Sequence, residues 1–170
     1  KSQEALSEAQ SAASARGHSL IEPAHLLAAL LAQQEGSTVP VLQKLGVALG
    51  PLQQAVGDIL ERTPKVTGGA QPNLSQATSR ILEAAFGEAE ALKDEYVSTE
   101  HLLLAIPSDT KDEAGRSLRE AGASRDAILK GLAAVRGGAR VTDPDPESKY
   151  QALDKFGRDL TDVARKGKLD

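Results

Sequence analysis

The amino-acid sequence predicts an all-α fold made of two pseudo-symmetric four-helix repeats, eight helices in all, followed by a linker and a C-terminal helix. The 170 residues include two Phe, two Tyr and no Trp. The core must therefore come from Leu, Ile, Val and Ala, and Ala has the highest helix propensity. β-Branched residues do not alternate with polar ones as they do in half-buried strands. The third observation is an internal repeat.

A constant offset relates the two halves of the chain. Segment 21–30 resembles segment 97–106 and pairs His25 with His101, so the offset is 101 − 25 = 76 positions. The same offset aligns apolar or glycine positions along both halves, including Ala5 with Ile81, Leu6 with Leu82, Leu42 with Leu118, Gly46 with Gly122, and Val56 with Leu132. Such agreement indicates two homologous lobes, at about 4–64 and 80–136.

The first lobe reads as four helices in order. Apolar residues at helical spacing predict a helix over 2–16 that ends at Gly17, because glycine readily adopts the left-handed conformation at a helix end. A second helix begins at Pro23, since proline is tolerated in a first turn. A short third helix covers 41–45 and ends at Gly46, and a fourth covers 51–62.

The second lobe repeats this order, with helices predicted over 75–92, 99–106, 114–121 and 124–136. The hydroxyl groups of Ser98-Thr99 and Ser124 are expected to cap two of these helices. Pro107 occupies the position of Leu31. Because proline lacks a backbone N–H, this helix is expected to end a turn earlier than its first-lobe counterpart.

Proline and glycine mark the connections. Residues 63–74 contain Pro64, two glycines and Pro72, and they read as the link between the lobes. Residues 137–147 contain two glycines and two prolines, and we expect a flexible linker there. After it, apolar residues at helical spacing predict a final helix within 148–170. The domain itself is expected to span residues 1–136.

Composition and motif searches argue against several classes of function. The net charge of −4 disfavours a nucleic-acid scaffold, and no apolar stretch approaches the roughly 20 residues that span a bilayer. The chain has no cysteine, so thiol and disulfide chemistry is excluded. None of its three histidines stands at metal-ligand spacing with another, and no phosphate-binding loop or nucleophile elbow occurs. We therefore expect a non-catalytic binding module without cofactor or metal.

Several motifs carry a family resemblance. The two lobes resemble the two repeats of Clp amino-terminal domains. The resemblance lies at Arg16-Gly17-His18 and 21–27 in the first lobe and at 94–104 in the second. Gln71-Pro72 in the connecting loop and the tail at 153–161 and 167–170 resemble ClpB-type AAA+ disaggregases more than the ClpA and ClpC relatives. The resemblance covers nearly the whole chain and implies that 148–170 opens the first ATPase module.

The resemblance implies a cytoplasmic chaperone domain tethered to a homohexameric ATPase ring that cooperates with the DnaK system. In that family the domain engages unfolded or aggregated polypeptides and passes them to the ring pore. The family's acidic positions for substrate handling correspond to Asp94 and Glu100. A family threonine at the head of the first helix has no match in this sequence. ATP binding belongs to modules beyond Asp170, so none is expected here.

Comparison of the two lobes suggests where clients bind. Apolar residues present in both lobes are expected in the core, and those present in one lobe are candidates for a surface groove. The second lobe has Ala84 opposite Glu8 and Phe86 opposite Gln10. We predict a groove for apolar segments formed by Leu82, Phe86 and Tyr96 and rimmed by Asp94 and Glu100.

Alternatives remain for these residues and for the function. Phe86 is also suited to packing between the lobes, and Glu100 and Asp94 are suited to stabilising a helix start and the turn before it. At the level of function, the alternatives are an adaptor-docking domain of a proteolytic Clp unfoldase and a structural spacer that regulates ring assembly. A groove without deep anchors predicts weak, promiscuous binding of disordered clients.

Overall fold

The computed structural model describes residues 1–69 and 71–136, and over these residues the chain forms eight α-helices in two lobes. The helices are α1 (Ser2–Ala15), α2 (Pro23–Ala32), α3 (Thr38–Lys44), α4 (Leu49–Arg62), α5 (Gln76–Ala91), α6 (Thr99–Ser108), α7 (Glu113–Glu120) and α8 (Arg125–Arg136). The all-α fold class predicted from the sequence is confirmed. The expected linker at 137–147 and helix at 148–170 lie outside the described residues.

The helix ends follow local side-chain chemistry. Ser75 caps α5, since its hydroxyl oxygen accepts from the Thr78 backbone N–H at 3.1 Å. The expected caps at Ser98 and Ser124 are both present: Ser98 is the N-cap of α6, and the Ser124 hydroxyl accepts from the Ala127 N–H at 3.2 Å. At the C-terminal end of α1, Gly17 has a φ of +73°, which is the left-handed helix ending predicted for it.

Pro107 does not shorten α6, which corrects the expectation of an earlier end. α6 runs to Ser108 and has ten residues, as many as α2. The Arg119 guanidinium from α7 donates to the carbonyl oxygen of Pro107 at 2.6 Å and to that of Asp109 at 3.1 Å. These bonds satisfy carbonyls that a helix end otherwise leaves without partners, so the last turn persists despite the proline.

Two short strands were not expected from the sequence. β1 (Leu20–Ile21) pairs in parallel with β2 (Asn73–Leu74), with Leu20 opposite Asn73 and Ile21 opposite Leu74. The pairing holds the entry to α2 against the entry to α5. Thr78 reinforces it, because its hydroxyl donates to the Ile21 carbonyl at 2.8 Å. Two-residue strands carry too little alternation for sequence periodicity to reveal.

The two lobes share one hydrophobic core and exchange their short third helices. Within each lobe the first two helices pack together, α1 on α2 and α5 on α6. The third helix of each lobe packs on the fourth helix of the other, α3 on α8 and α7 on α4. At the first of these contacts Gly131 lies so close that an added Cβ would come within 3.2 Å of Val41 and Leu45. Buried leucine, isoleucine, valine and alanine side chains fill the centre.

Candidate functional site

The turn between α5 and α6 positions Asp94 and contains a strained residue next to it. The N–H of Asp94 donates to the Ala89 carbonyl at 2.9 Å, and that of Lys93 donates to Glu90 at 3.0 Å, which is a Schellman ending. Such an ending needs a left-handed residue, and here Lys93 supplies it with a φ of +59°. A side chain at this φ costs conformational energy. The strain therefore lies directly beside a candidate functional carboxylate.

His101, in the first turn of α6, orients that carboxylate. The backbone N–H of Ser98 donates to His101 Nδ1 at 2.8 Å, so the ring proton sits on Nε2. That nitrogen is 2.7 Å from Asp94 Oδ2, and both side chains are fully buried. Burial lowers the pKa of His101, although the Asp94 hydrogen bond opposes the shift. The neutral imidazole thus serves as a donor that aims Asp94.

Arg136, the last residue of α8, completes the cluster. Its guanidinium makes a two-pronged contact with Asp94, from Nη2 to Oδ1 at 2.7 Å and from Nη1 to Oδ2 at 3.1 Å. Nη1 also lies 3.4 Å from Glu100 Oε2. Burial disfavours the charged guanidinium, but the Asp94 hydrogen bonds and the two carboxylates outweigh it and raise the pKa of Arg136. We call Asp94, Glu100, His101 and Arg136 the acid cluster.

The first lobe carries a different version of this arrangement. The counterpart of Asp94 is His18, whose Nδ1 lies 2.7 Å from His25 Nε2. The Glu22 N–H donates to His25 Nδ1 at 2.9 Å, as Ser98 does to His101. Burial and the neighbouring His18 lower the pKa of His25 to about 4. The sequence analysis missed both pairs, although the repeated spacing of seven residues, 18 to 25 and 94 to 101, could have pointed to them.

The structure corrects the placement of Leu82 and Phe86. Their side chains are 3% and 6% exposed, so both belong to the core and not to an open groove. Leu82 aligns with Leu6, which is also buried, so the rule that shared apolar residues form the core already applied to it. Phe86 lies four residues further along α5, on the same buried face. Tyr96 is half-buried in the turn that also carries Asp94.

An open pocket of about 350 Å³ lies at the other end of the α5–α6 pair. Its lining includes Arg80, Ile81, Ala84, Ala105, Asp109 and Lys111. On its rim, Arg80 Nη2 pairs with Asp109 Oδ2 at 3.1 Å. Burial acts to raise the pKa of Asp109, but hydrogen bonds from the Lys111 N–H and from Arg80 hold it below its ordinary value. Ala84, which the lobe comparison distinguished from Glu8, is thus a pocket residue. We call this the α5–α6 pocket.

Between residues 1 and 136, Ala70 excepted, no three or more His, Cys, Asp and Glu side chains are grouped to hold a metal ion. Over the same residues, no helix combines the length and apolar character needed to cross a membrane.

Comparisons with known proteins agree on one family. Residues 1–121 match the Clp repeat (R) N-terminal domain. Over its full length the chain is 43% identical to chaperone protein ClpB of Rhodopirellula baltica and 44% identical to that of Mycobacterium tuberculosis, but it spans only about a fifth of each relative, 19% and 20%. Among solved structures, the N-terminal domain of Hsp104 from Candida albicans matches with a TM-score of 0.70 at 25% identity, covering 81% of this chain and 90% of that one.

Proposed function

Because the chain belongs to the Clp repeat N-terminal domain family and matches ClpB chaperones along its whole length, we propose that it is the client-engaging domain of a ClpB-type disaggregase. In this role it binds exposed apolar segments of unfolded or aggregated proteins and passes them to the pore of an ATPase ring. A cytoplasmic homohexamer that works with the DnaK system is part of the proposal. The domain itself contributes binding and no catalytic step.

The observation that carries the proposal is the α5–α6 pocket. It is open to solvent, with the buried Ile81 and Ala105 at its floor and the partly exposed Ala84 as its accessible apolar residue. This surface suits a short apolar segment of an extended chain. In the first lobe, Glu8 stands in place of Ala84. There the Gln33 side chain also donates to the Lys1 carbonyl at 2.8 Å, bridging the ends of α1 and α2. The second lobe is therefore the better client site.

The acid cluster extends this proposed site toward the other end of the helix pair. Glu100 lies in the first turn of α6 and Ser108 ends the helix, so the two are about 12 Å apart along the helix axis. An extended segment of about four residues covers that distance. We propose that Asp94, Glu100 and half-buried Tyr96 meet the polar part of a client, while Leu82 and Phe86 support α5 from within the core.

The test is an NMR titration of the 170-residue chain with a permanently unfolded polypeptide, such as reduced and carboxymethylated lactalbumin, at low and at raised salt. We expect amide shifts around the α5–α6 pocket that largely survive salt, because apolar contacts are not screened. Ala84→Glu, which copies the first lobe, should weaken binding by about tenfold or more, since it places a charge against an apolar segment. Ala91→Glu is the matched control, because Ala91 is exposed at the end of the same helix.

Two results would count against the proposal. Absence of shifts with any unfolded polypeptide would refute client binding. Saturable one-to-one binding of a folded partner, with no response to unfolded chains, would favour the adaptor-docking role instead. Equal effects of the Ala84 and Ala91 substitutions would show that added charge, and not the pocket, governs binding.

A further inference from the structure

The charged residues of the acid cluster occur together in one lobe. At the matching first-lobe positions, uncharged or apolar residues stand in for each of them: Asp94, Glu100 and Arg136 correspond to His18, Ala24 and Leu60. Leu60 is buried in the core. The fold therefore accepts an apolar side chain at this position of the fourth helix. Arg136 occupies it in the lobe that also carries the two carboxylates.

Arg136 also determines whether the carboxylates can be reached. The side chain of Asp94 is fully buried, and those of Arg136 and Glu100 are 11% and 16% exposed. His101 covers Asp94 from inside the domain, while the guanidinium lies between the two carboxylates. Because the guanidinium contacts both acids, a ligand cannot use the buried carboxylate until Arg136 moves.

We propose that Arg136 is an autoinhibitory latch over the acidic half of the proposed client site. In the empty domain it holds Asp94 and Glu100 closed, and a client that presents its own arginine displaces it. An arginine is the matching competitor, because a planar guanidinium reproduces the two-pronged contact with Asp94 that an ammonium group cannot make. The latch rests on the proposed function, and it adds that arginine-bearing apolar segments are the preferred clients.

The latch also connects the site to the end of the domain. Arg136 is the final residue of α8 and is followed directly by Gly137-Gly138 in the sequence. Displacement of its side chain removes the contacts that tie this helix end to the α5–α6 turn. Client arrival at one face is thereby coupled to release of the helix end that leads to the rest of the chain.

Two synthetic unstructured peptides test the latch, identical except for one arginine that is replaced by citrulline, its neutral isostere. Their affinities are measured for the wild-type 170-residue chain, for Arg136→Leu and for Arg116→Leu. Arg116 is exposed on α7, so its variant has the same charge change away from the cluster. We expect Arg136→Leu to bind the arginine peptide about tenfold more tightly, since charge-assisted bonds are no longer contested. The citrulline peptide should change less than about twofold, and Arg116→Leu should change neither peptide by more than that.

A second measurement on the wild-type protein covers the case in which Arg136→Leu does not fold. The Nε–H signal of Arg136 should shift on addition of the arginine peptide and stay in place with the citrulline peptide. If both peptides bind and neither moves that signal, or if Arg136→Leu tightens both equally, the latch is refuted while client binding stands. If neither peptide binds the wild type or the variant, client binding and the latch both fall.

Discussion

The residue before Asp94 has a left-handed backbone, and the energetic cost of that conformation can be measured as a change in stability. In the first lobe this position is Gly17, with a φ of +73°, and in the second it is Lys93, with a φ of +59°. The hydrogen bonds around the two positions match: His18 N–H reaches the Ala13 carbonyl at 2.8 Å, and Asp94 N–H reaches Ala89 at 2.9 Å. Lys93→Gly therefore changes the residue while the required backbone stays the same, and we expect it to stabilise the domain.

The magnitude follows from two opposing terms. A left-handed conformation costs a non-glycine residue about 1–2 kcal/mol, which the substitution removes. Glycine makes the unfolded chain more flexible, which returns about 0.4–1 kcal/mol. The exposed Lys93 side chain leaves little packing to lose. The expected net gain in the free energy of unfolding is about 0.5–1 kcal/mol, or roughly 2–3 °C in Tm for a protein of this size.

Urea unfolding followed by circular dichroism measures this gain, and Gly17→Lys is the reciprocal control. A Cβ at Gly17 would lie 3.5 Å from the Val66 carbonyl oxygen and 3.8 Å from Lys65 Cβ, which is ordinary contact. The control should therefore lose about 1 kcal/mol through its φ alone. If Lys93→Gly leaves the free energy of unfolding unchanged while Gly17→Lys lowers it, the left-handed conformation of Lys93 does not cost stability.

Two further predictions concern packing and pH. Gly115→Ala should destabilise by about 2 kcal/mol or more, because the added Cβ would lie 2.6 Å from a backbone carbonyl oxygen at the end of α6; Gly87→Ala meets no atom within 4 Å and should stabilise by about 1 kcal/mol in the same unfolding assay. Equal effects of the two would contradict the packing argument. The pKa of His25 is lowered to about 4 and that of His18 is also lowered, first by burial, from 6.5. As the pH drops, the unfolded chain therefore protonates these histidines at a higher pH than the folded chain does. The free energy of unfolding should fall as the pH drops from about 6.5 toward 4. His18→Asp should lessen the fall between pH 7 and pH 5, because a carboxylate partner raises the pKa of His25; an unchanged difference would show that this pair does not carry the pH dependence.

The helices were predictable because their signals are local and repeated. The 76-residue offset located both lobes, and glycine or serine at the helix ends located most boundaries to within a few residues. α3 begins at Thr38, three residues before the predicted start, because Pro40 is accommodated in its first turn. The exchange of third helices was not predictable, since each lobe offers the same apolar faces to itself and to its partner.

The candidate site was predictable in part. Asp94 and Glu100 were proposed through the family resemblance, but their links to Arg136 join positions 42 and 36 residues apart and leave no local pattern. Leu82 and Phe86 were placed in a groove because aromatic and apolar residues suit both a core and a binding surface. Burial, which the structure supplies, separates the two cases. Ala84 was noticed in the lobe comparison, and the pocket around it depends on the α6–α7 turn.

The exchanged third helices make the two lobes mutually dependent. α3 of the first lobe completes the core beside α8, and α7 of the second does the same beside α4. This is the self-complementary geometry of a two-fold symmetric dimer, carried here within one chain. Neither half has a complete core of its own, so cutting the chain between the lobes should yield halves that fold only on recombination. A mechanical force applied to either end of the domain would then be resisted by the shared core of both lobes.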